Sequence, residues 1–316
     1  MRIVLALDGS ESSIRARDLV AGLRWPKGTA ICAMSAYELP IDWTGAVGAP
    51  MPWVAAAEDA MRDELSAELE RLEEPLAGRG WQLERRVVKG RPAKAILDAA
   101  RRFEADLIVL GSRGRGPLTT MLLGSVSAEV VDHAGCSVLV ARGTEASRVL
   151  VATDGSDVAR AIPDLLSAFG AFRGAAVEAI TIAPLPDRSL DLLSEVHTLG
   201  TYRSDDGRQS LLDRHRHLAE EMAQHLTERG IVATASVLAG DAAHEIIAAA
   251  ERRGADLIVT GTRGLHGVER VILGGVARNV LLHASCSVLV VRSSSRARGS
   301  RAERTETAAR VATPTA

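Results

Sequence analysis

The chain has 316 residues, enough for two ordinary domains; 47% are hydrophobic but only 3% aromatic, so Val, Leu, Ile and Ala must build most of the core. A formal net charge of −2 argues against a broad face that grips nucleic acid or an anionic membrane, and no apolar run approaches the length of a membrane span. Three cysteines without a Cys-x-x-Cys pair, and an apolar opening (Ile3 to Leu7) cut short by Asp8 instead of growing into a signal-peptide core, point to a reducing cytoplasm.

Residues 2–8 read as a short buried strand, and Ser10 to Arg24 as a helix with Ile14, Leu19 and Leu23 apolar. A second strand runs from Thr29 to Tyr37. The Gly- and Pro-rich segment from Pro40 to Pro52 is a loop. Met61, Leu65, Leu69, Leu72 and Leu76 then recur at three- and four-residue spacing, the stripe of an amphipathic helix. Trp81 to Val88 forms a third strand. Gly90 turns the chain and Pro92 suits the first position of the next helix, which carries Ile96, Ala100 and Phe103. Leu107 to Leu110 is strand four. A glycine-rich turn from Gly111 leads to Gly124-Ser125, then to a helix over Val126 to Ala134 and a fifth strand over Ser137 to Val140. Cys136 and Cys286 each precede a strand and read as small buried thiols.

The second half repeats the first. Arg2 to Ser10 matches Arg148 to Ser156, Ala105 to Gly114 matches Ala255 to Gly264, and His133 to Val140 matches His283 to Val290. A repeat this long means two whole domains, not a solenoid: 1–143 and 146–292. Strands are expected near 148–153, 176–183, 232–238, 256–260 and 287–292, with a longer charged loop from Pro184 to Arg208. The tail over 293–316, rich in Ser, Ala, Thr and Arg, lacks periodicity and reads as a disordered, solvated segment, with weak contact to a polyanion as the alternative. Apolar strands alternating with helices imply an α/β fold, a doubly wound parallel sheet in each half.

In such a sheet ligands bind beyond the carboxyl ends of the strands, where the strand order reverses. Asp8 ends strand one and Gly111 ends strand four; as neighbours they would face one crevice. Asp8 would accept hydrogen bonds from an adenine or ribose. The amides around Gly114, Gly124, Ser125 and Val126 would form an anion nest at a helix N-terminus, with the Ser125 and Ser127 hydroxyls as further donors. The alternative from the same residues is that the glycines only form turns and Asp8 only caps the next helix. Short glycine motifs leave both readings open.

The strand ending Asp8-Gly9-Ser10 and the pattern Gly111-x2-Gly114-x9-Gly124-Ser125 resemble the nucleotide-binding signature of the universal stress protein family, and the resemblance covers both halves, about residues 1–292. It implies two five-stranded, Rossmann-like (adenine-nucleotide α-hydrolase-like) sheets of order 3-2-1-4-5. It also implies ATP binding and dimerisation through the fifth strand; magnesium would accompany such a ligand because phosphates favour that ion. By that resemblance Ala6 and Asp8 meet the adenine and ribose, and Ala36 touches the base. Gly111, Arg113 and Gly114 line the ribose and first phosphates, while Gly124, Ser125, Val126 and Ser127 hold the outer ones. The corresponding second set is Ala152, Asp154, Ile182, Gly261, Arg263, Gly264, Gly274, Gly275 and Val276. Gly275 and Ala277 stand where the first half has Ser125 and Ser127, so the second site is expected to bind more weakly, with Arg278 in place of Ala128 returning some attraction. The family often has Pro after the cysteine near strand five; Ser137 and Ser287 stand there, a change given little functional weight.

Other chemistry is thin. There is no Gly-x4-Gly-Lys-Ser/Thr, Gly-x-Ser-x-Gly or His-Glu-x-x-His motif. His215 and His217 diverge on a helix and make a poor metal pair, and His197, His225, His244 and His266 are scattered. The reading is a cytoplasmic, ATP-binding regulatory sensor, not an enzyme, whose halves pack as a pseudo-dimer within one chain and whose chains can pair as a homodimer, with no membrane or specific nucleic-acid partner. The alternatives are a ligand-free interaction scaffold and a weak ATP hydrolase. Trp43 and Trp53 would close over the first site as a lid, or pack on their own domain.

Overall fold

The computed structural model describes residues 1–38, 52–114, 123–184, 204–262 and 273–292, with the side chains of 52–54 and 204–206 excepted. In chain order the first half runs β1 (Arg2–Ala6), α1 (Glu11–Gly22), β2 (Ala30–Tyr37), α2 (Pro52–Glu73), β3 (Gln82–Lys89), α3 (Pro92–Arg102), β4 (Leu107–Gly111), α4 (Ser125–His133) and β5 (Ser137–Ala141). The second half runs β6 (Arg148–Ala152), α5 (Asp157–Arg160), α6 (Ile162–Phe169), β7 (Ala176–Ala183), α7 (Ser204–Glu228), β8 (Ala233–Ala239), α8 (Ala242–Arg253), β9 (Leu257–Gly261), α9 (Gly275–His283) and β10 (Ser287–Val291).

Each half has the parallel order 3-2-1-4-5. The expected pair of separate five-stranded sheets is, however, one sheet of ten strands in the order β3-β2-β1-β4-β5-β10-β9-β6-β7-β8. The join is antiparallel, with Val288 opposite Val140, Leu289 opposite Leu139 and Val290 opposite Val138. Strands β5 and β10 are the innermost, and every residue of both, and of β4 beside them, is buried. This explains the apolar runs that follow Ser137 and Ser287: a strand covered on both faces has no solvent side to alternate with. Side chains of successive residues go to opposite faces. Ile3 and Leu5 join a core with Leu19, Leu69 and Leu76 under α1 and α2, while Val4 joins Ile96, Ile108 and Val130 under α3 and α4. The outermost strands differ. β3 is charged, and its Arg85 pairs with Glu73 and Glu70 at 2.5 and 3.0 Å, as suits an exposed edge; β8 carries no charged residue.

The join is held by more than the strand ladder. The Arg142 amide donates to Ser287 Oγ at 3.1 Å and the Arg292 amide donates to Ser137 Oγ at 3.2 Å. Ser137 and Ser287 are thus reciprocal acceptors across the join, a structural role that the sequence did not show. Proline would offer no hydroxyl there. Trp25 meets Phe169 edge-to-face across the halves, with ring centroids 6.3 Å apart.

Candidate functional site

β1 pairs with β4, so the turns after both strands meet at one edge of the sheet. This is the reversal point of a 3-2-1-4-5 order, because β1 leads to β2 on one side and the chain returns to β4 on the other. Ala6 and Ala36 lie partly buried on the α3/α4 face near the carboxyl ends of β1 and β2, and Ala152 and Ile182 lie on the corresponding face of the second half.

Asp8 opens the turn after β1. Its Oδ1 accepts from the Ser10 amide at 3.0 Å and the Ser10 hydroxyl at 2.6 Å, while Gly9 takes the left-handed φ of +73° that the turn requires. Capping of α1 falls to Ser10, whose side chain accepts from the Ser13 amide at 3.2 Å. Asp8 therefore organises the turn without being the cap. Its Oδ2 lies against Gly114, where an added Cβ would come within 2.9 Å. The aspartate thus lies against the loop after β4. Asp154 repeats the arrangement, with Oδ1 accepting from the Ser156 amide at 2.9 Å and Ser156 capping the next helix.

The loop after β4 is stapled to the start of α1 by a residue that the sequence did not single out. Ser12 Oγ accepts from the Arg113 amide at 3.1 Å and donates to the Arg113 carbonyl. The counterpart of Ser12 in the repeat is Val158, which has no hydroxyl, so the second half lacks this staple. The bond joins residues 101 apart; the only sequence signal was the loss of a hydroxyl between aligned positions.

Gly124 opens α4. Its amide donates to the Ser112 carbonyl at 2.7 Å, and the first helical bond runs from the Ala128 amide to the Gly124 carbonyl at 3.0 Å. A Cβ on Gly124 would come within 3.3 Å of the Arg113 Cα, so glycine lets the loop lie against the helix start. With glycine at this position no side chain caps the helix, in contrast to Ser10 on α1 and Asp241 on α8. The first-turn amides of Ser125, Val126 and Ser127 are the donors left over by helix geometry. α9 opens the same way: the Gly274 amide donates to the Thr262 carbonyl at 2.7 Å, no side chain caps it, and Gly275 and Val276 form its first turn.

Three residues have structural commitments that the sequence did not show. Ser127 is 4% exposed and its hydroxyl donates to the Gly111 carbonyl at 2.8 Å, so the hydroxyl braces α4 against β4 and is not the further phosphate donor expected of it, while the Ser127 amide stays among the first-turn donors. At Gly111 an added Cβ would lie 2.6 Å from the Ser12 carbonyl carbon, so its lack of a side chain is required by close packing of α1 on β4. The Arg278 guanidinium pairs with Asp132 of α4 at 2.7 Å. Ser125 remains exposed at the first position of α4, and Arg113 and Gly114 are exposed beside it. Gly261 ends β9, while Arg263, Gly264, Trp43, His197, His266 and the tail lie outside the described residues, as does the side chain of Trp53. Most of the expected charged loop after β7, residues 185–203, lies outside them as well.

At the outer rim, Lys89 Nζ and the Tyr37 hydroxyl reach Glu58 at 2.7 and 3.2 Å, tying α2 to the tips of β2 and β3. The second half has Ala183 and Ala239 at the tips of β7 and β8.

The thiols are not poised to react. Burial pushes Cys136 up to about 12 and both Cys32 and Cys286 up to about 11. Each is therefore protonated at neutral pH. Alkylation by iodoacetamide at pH 8 is expected to be slow in the folded chain and complete only after denaturation; fast modification of any one cysteine in the folded protein would contradict this. Among the described residues no group of three or more His, Cys, Asp or Glu could hold a metal ion, and no helix is long and apolar enough to cross a membrane.

Fold and site together define a tandem α/β protein of the Rossmann-like class, with a glycine-led helix beside an aspartate turn in each half. The chain belongs to the universal stress protein family, whose model matches residues 1–142 and again 145–292. A universal stress protein of Mycobacterium tuberculosis is 30% identical over 258 residues, covering 78% of this chain and 82% of that one. A relative from Thermus aquaticus is 37% identical over 145 residues, 44% of this chain but 97% of its own length, so it corresponds to one half. The crystal structure of a universal stress protein from Archaeoglobus fulgidus has the same fold, with a TM-score of 0.60 at 20% identity over 93% of this chain and 97% of that one.

Proposed function

We propose that each half is a nucleotide-binding domain, with boundaries near 1–143 and 146–292, and that the chain is an ATP-binding regulatory sensor whose first site is the tighter. The observation that carries this reading is the glycine-led, uncapped start of α4 at the sheet's reversal point, with Asp8 facing it across the loop. The amides of Ser125 and Val126 and the Ser125 hydroxyl would hold phosphate oxygens, aided by the positive end of the helix. Asp8 would take the ribose or adenine, and the small side chains of Ala6 and Ala36 leave space for a planar base. Ala152, Asp154, Ile182, Gly274, Gly275 and Val276 would play these parts in the second half, with Gly261 ending the strand as Gly111 does.

The first site gains from two features that the second lacks, the exposed Ser125 hydroxyl and the Ser12 staple. A hydrogen bond to a charged group contributes about 1.5–3 kcal/mol and a neutral one about 0.5–1.5 kcal/mol, so a difference of tenfold or more follows. Magnesium would arrive with the phosphates as their ion, since the described side chains supply no cluster of ligands for it. We read the site as one that binds the nucleotide without hydrolysing it. The β5–β10 ladder supports reading the two halves as a pseudo-dimer within one chain.

Calorimetric titration of the full chain with ATP tests the reading, together with mass spectrometry of small molecules that the native protein carries. Two sites, the first at least tenfold tighter, are expected. Equal affinities would defeat the ranking, and no binding would leave the scaffold alternative. Ser12→Ala removes the two Ser12 hydrogen bonds to Arg113, leaving the Ser10 hydroxyl 3.4 Å from the Arg113 carbonyl, and is expected to weaken the first site about tenfold, while the second site keeps its affinity once the first is filled.

A further inference from the structure

The arginines that follow β5 and β10 reach into the opposite half. Arg142 crosses the join, and its guanidinium donates to the Leu281 carbonyl in the last turn of α9 at 2.5 Å and to the Cys286 carbonyl in the turn that follows at 3.3 Å. Arg292 crosses the other way and donates to the Val131 and Asp132 carbonyls at 2.6 and 3.2 Å, at the end of α4. The last carbonyls of a helix lack partners within it and carry partial negative charge, so a cation there fixes the helix end. Each of these helices begins at the anion-binding turn of its own half.

The link continues to the opposite loop. The Ser112 amide, at the start of the first-half loop, donates to the Ala141 carbonyl at 3.1 Å, one residue before Arg142. In the second half the Thr262 amide donates to the Val291 carbonyl at 3.1 Å, one residue before Arg292. Each phosphate loop is thus bonded beside the arginine that holds the other loop's helix. α4 and α9 have nine residues each, about 13 Å of rigid rod, so a displacement at one end reaches the other. The Arg278–Asp132 pair ties the two helices side by side.

We infer that Arg142 and Arg292 are positioning residues supplied across the join, and that through them occupancy of the first nucleotide site tightens the second. This rests on the nucleotide reading above. The sign follows from ordering: a ligand that fixes the first loop also fixes, through the bond from the Ser112 amide to the Ala141 carbonyl, the backbone beside Arg142 and with it the end of α9, so a second ligand has less left to order. By linkage the second ligand tightens the first by the same factor.

The test is calorimetric titration with ATP of the full chain, of a Gly114→Asp chain whose first site is blocked, and of an Arg142→Lys chain. Lysine keeps the charge but cannot span both carbonyls as the planar fork does. The second-site Kd is expected to be about fivefold tighter in the unmodified chain than in Gly114→Asp. In an Arg142→Lys background, blocking the first site should leave the second-site Kd unchanged. If Arg142→Lys does not fold, Ser287→Ala, which removes the acceptor for the Arg142 and Gly143 amides, serves instead and should shrink the ratio toward one. A second-site Kd equal in the unmodified and Gly114→Asp chains, or a second site silent in both, overturns the coupling alone. No binding at either site removes the nucleotide reading and the coupling together.

Discussion

Replacing Gly111 by alanine is expected to destabilise the protein by about 3 kcal/mol or more. The new Cβ would lie 2.3 Å from Ser12 Oγ, 2.6 Å from the Ser12 carbonyl carbon and 2.7 Å from its oxygen. The hydroxyl could rotate away, but the backbone atoms cannot. Relief requires α1 to lift from β4, which opens the core beneath Leu19 and breaks the Ser12 staple to Arg113. Urea denaturation followed by far-ultraviolet circular dichroism measures the loss. Gly275→Ala is the control: its Cβ meets nothing within 4 Å, and alanine in the first turn of α9 should be neutral or stabilising by up to about 1 kcal/mol. Equal stability of Gly111→Ala and Gly275→Ala would mean that α1 and β4 are not packed as described.

The second large effect is on binding. Gly114→Asp is expected to weaken ATP at the first site about 100-fold while the second site loses only the coupling described above. A side chain at Gly114 would press on Asp8 Oδ2, which an added Cβ would approach to 2.9 Å. The added carboxylate would stand where the phosphate chain passes. Two like charges about 5 Å apart at an effective dielectric of about 20 repel by about 3 kcal/mol. Screening at this exposed position brings that to about 2–3 kcal/mol, a factor of about 100 in affinity. Gly114→Ala separates steric from charge effects, since it supplies the contact without the carboxylate and should cost far less. Titration with ATP reads both variants, and an unchanged first-site affinity in Gly114→Asp would place the ligand elsewhere.

The alternation of apolar strands with amphipathic helices was legible because it follows from covering both faces of a parallel sheet, and strand positions agree to within one or two residues. β1 ends at Ala6 instead of residue 8 because Asp8 and Gly9 already form the turn. The expected helix from Met61 begins earlier, at Pro52, where the sequence lacks the leucine stripe. The aspartate turn and the glycine-led start of α4 were legible as well, because each depends on residues close in sequence. What was not legible depends on pairs far apart. Nothing near Ser127 shows that its hydroxyl is committed to Gly111, and nothing near Arg278 shows that Asp132 of the other half awaits it. Arg142 and Arg292 carried a signal that local reading missed: the same residue type recurs at the same place after the fifth strand of both halves. Ser137 and Ser287 recur likewise, and their meaning emerges only when β5 and β10 are side by side.

The account turns on the first-turn amides of α4 being the groups that receive phosphate. Backbone amide spectra of nitrogen-15-labelled protein during titration with ATP address them one by one. The Ser125 and Val126 amide resonances should shift and their hydrogen exchange should slow as the first site fills, with Gly275 and Val276 following at higher concentration. Saturation with ATP that leaves Ser125 and Val126 unchanged would contradict the account.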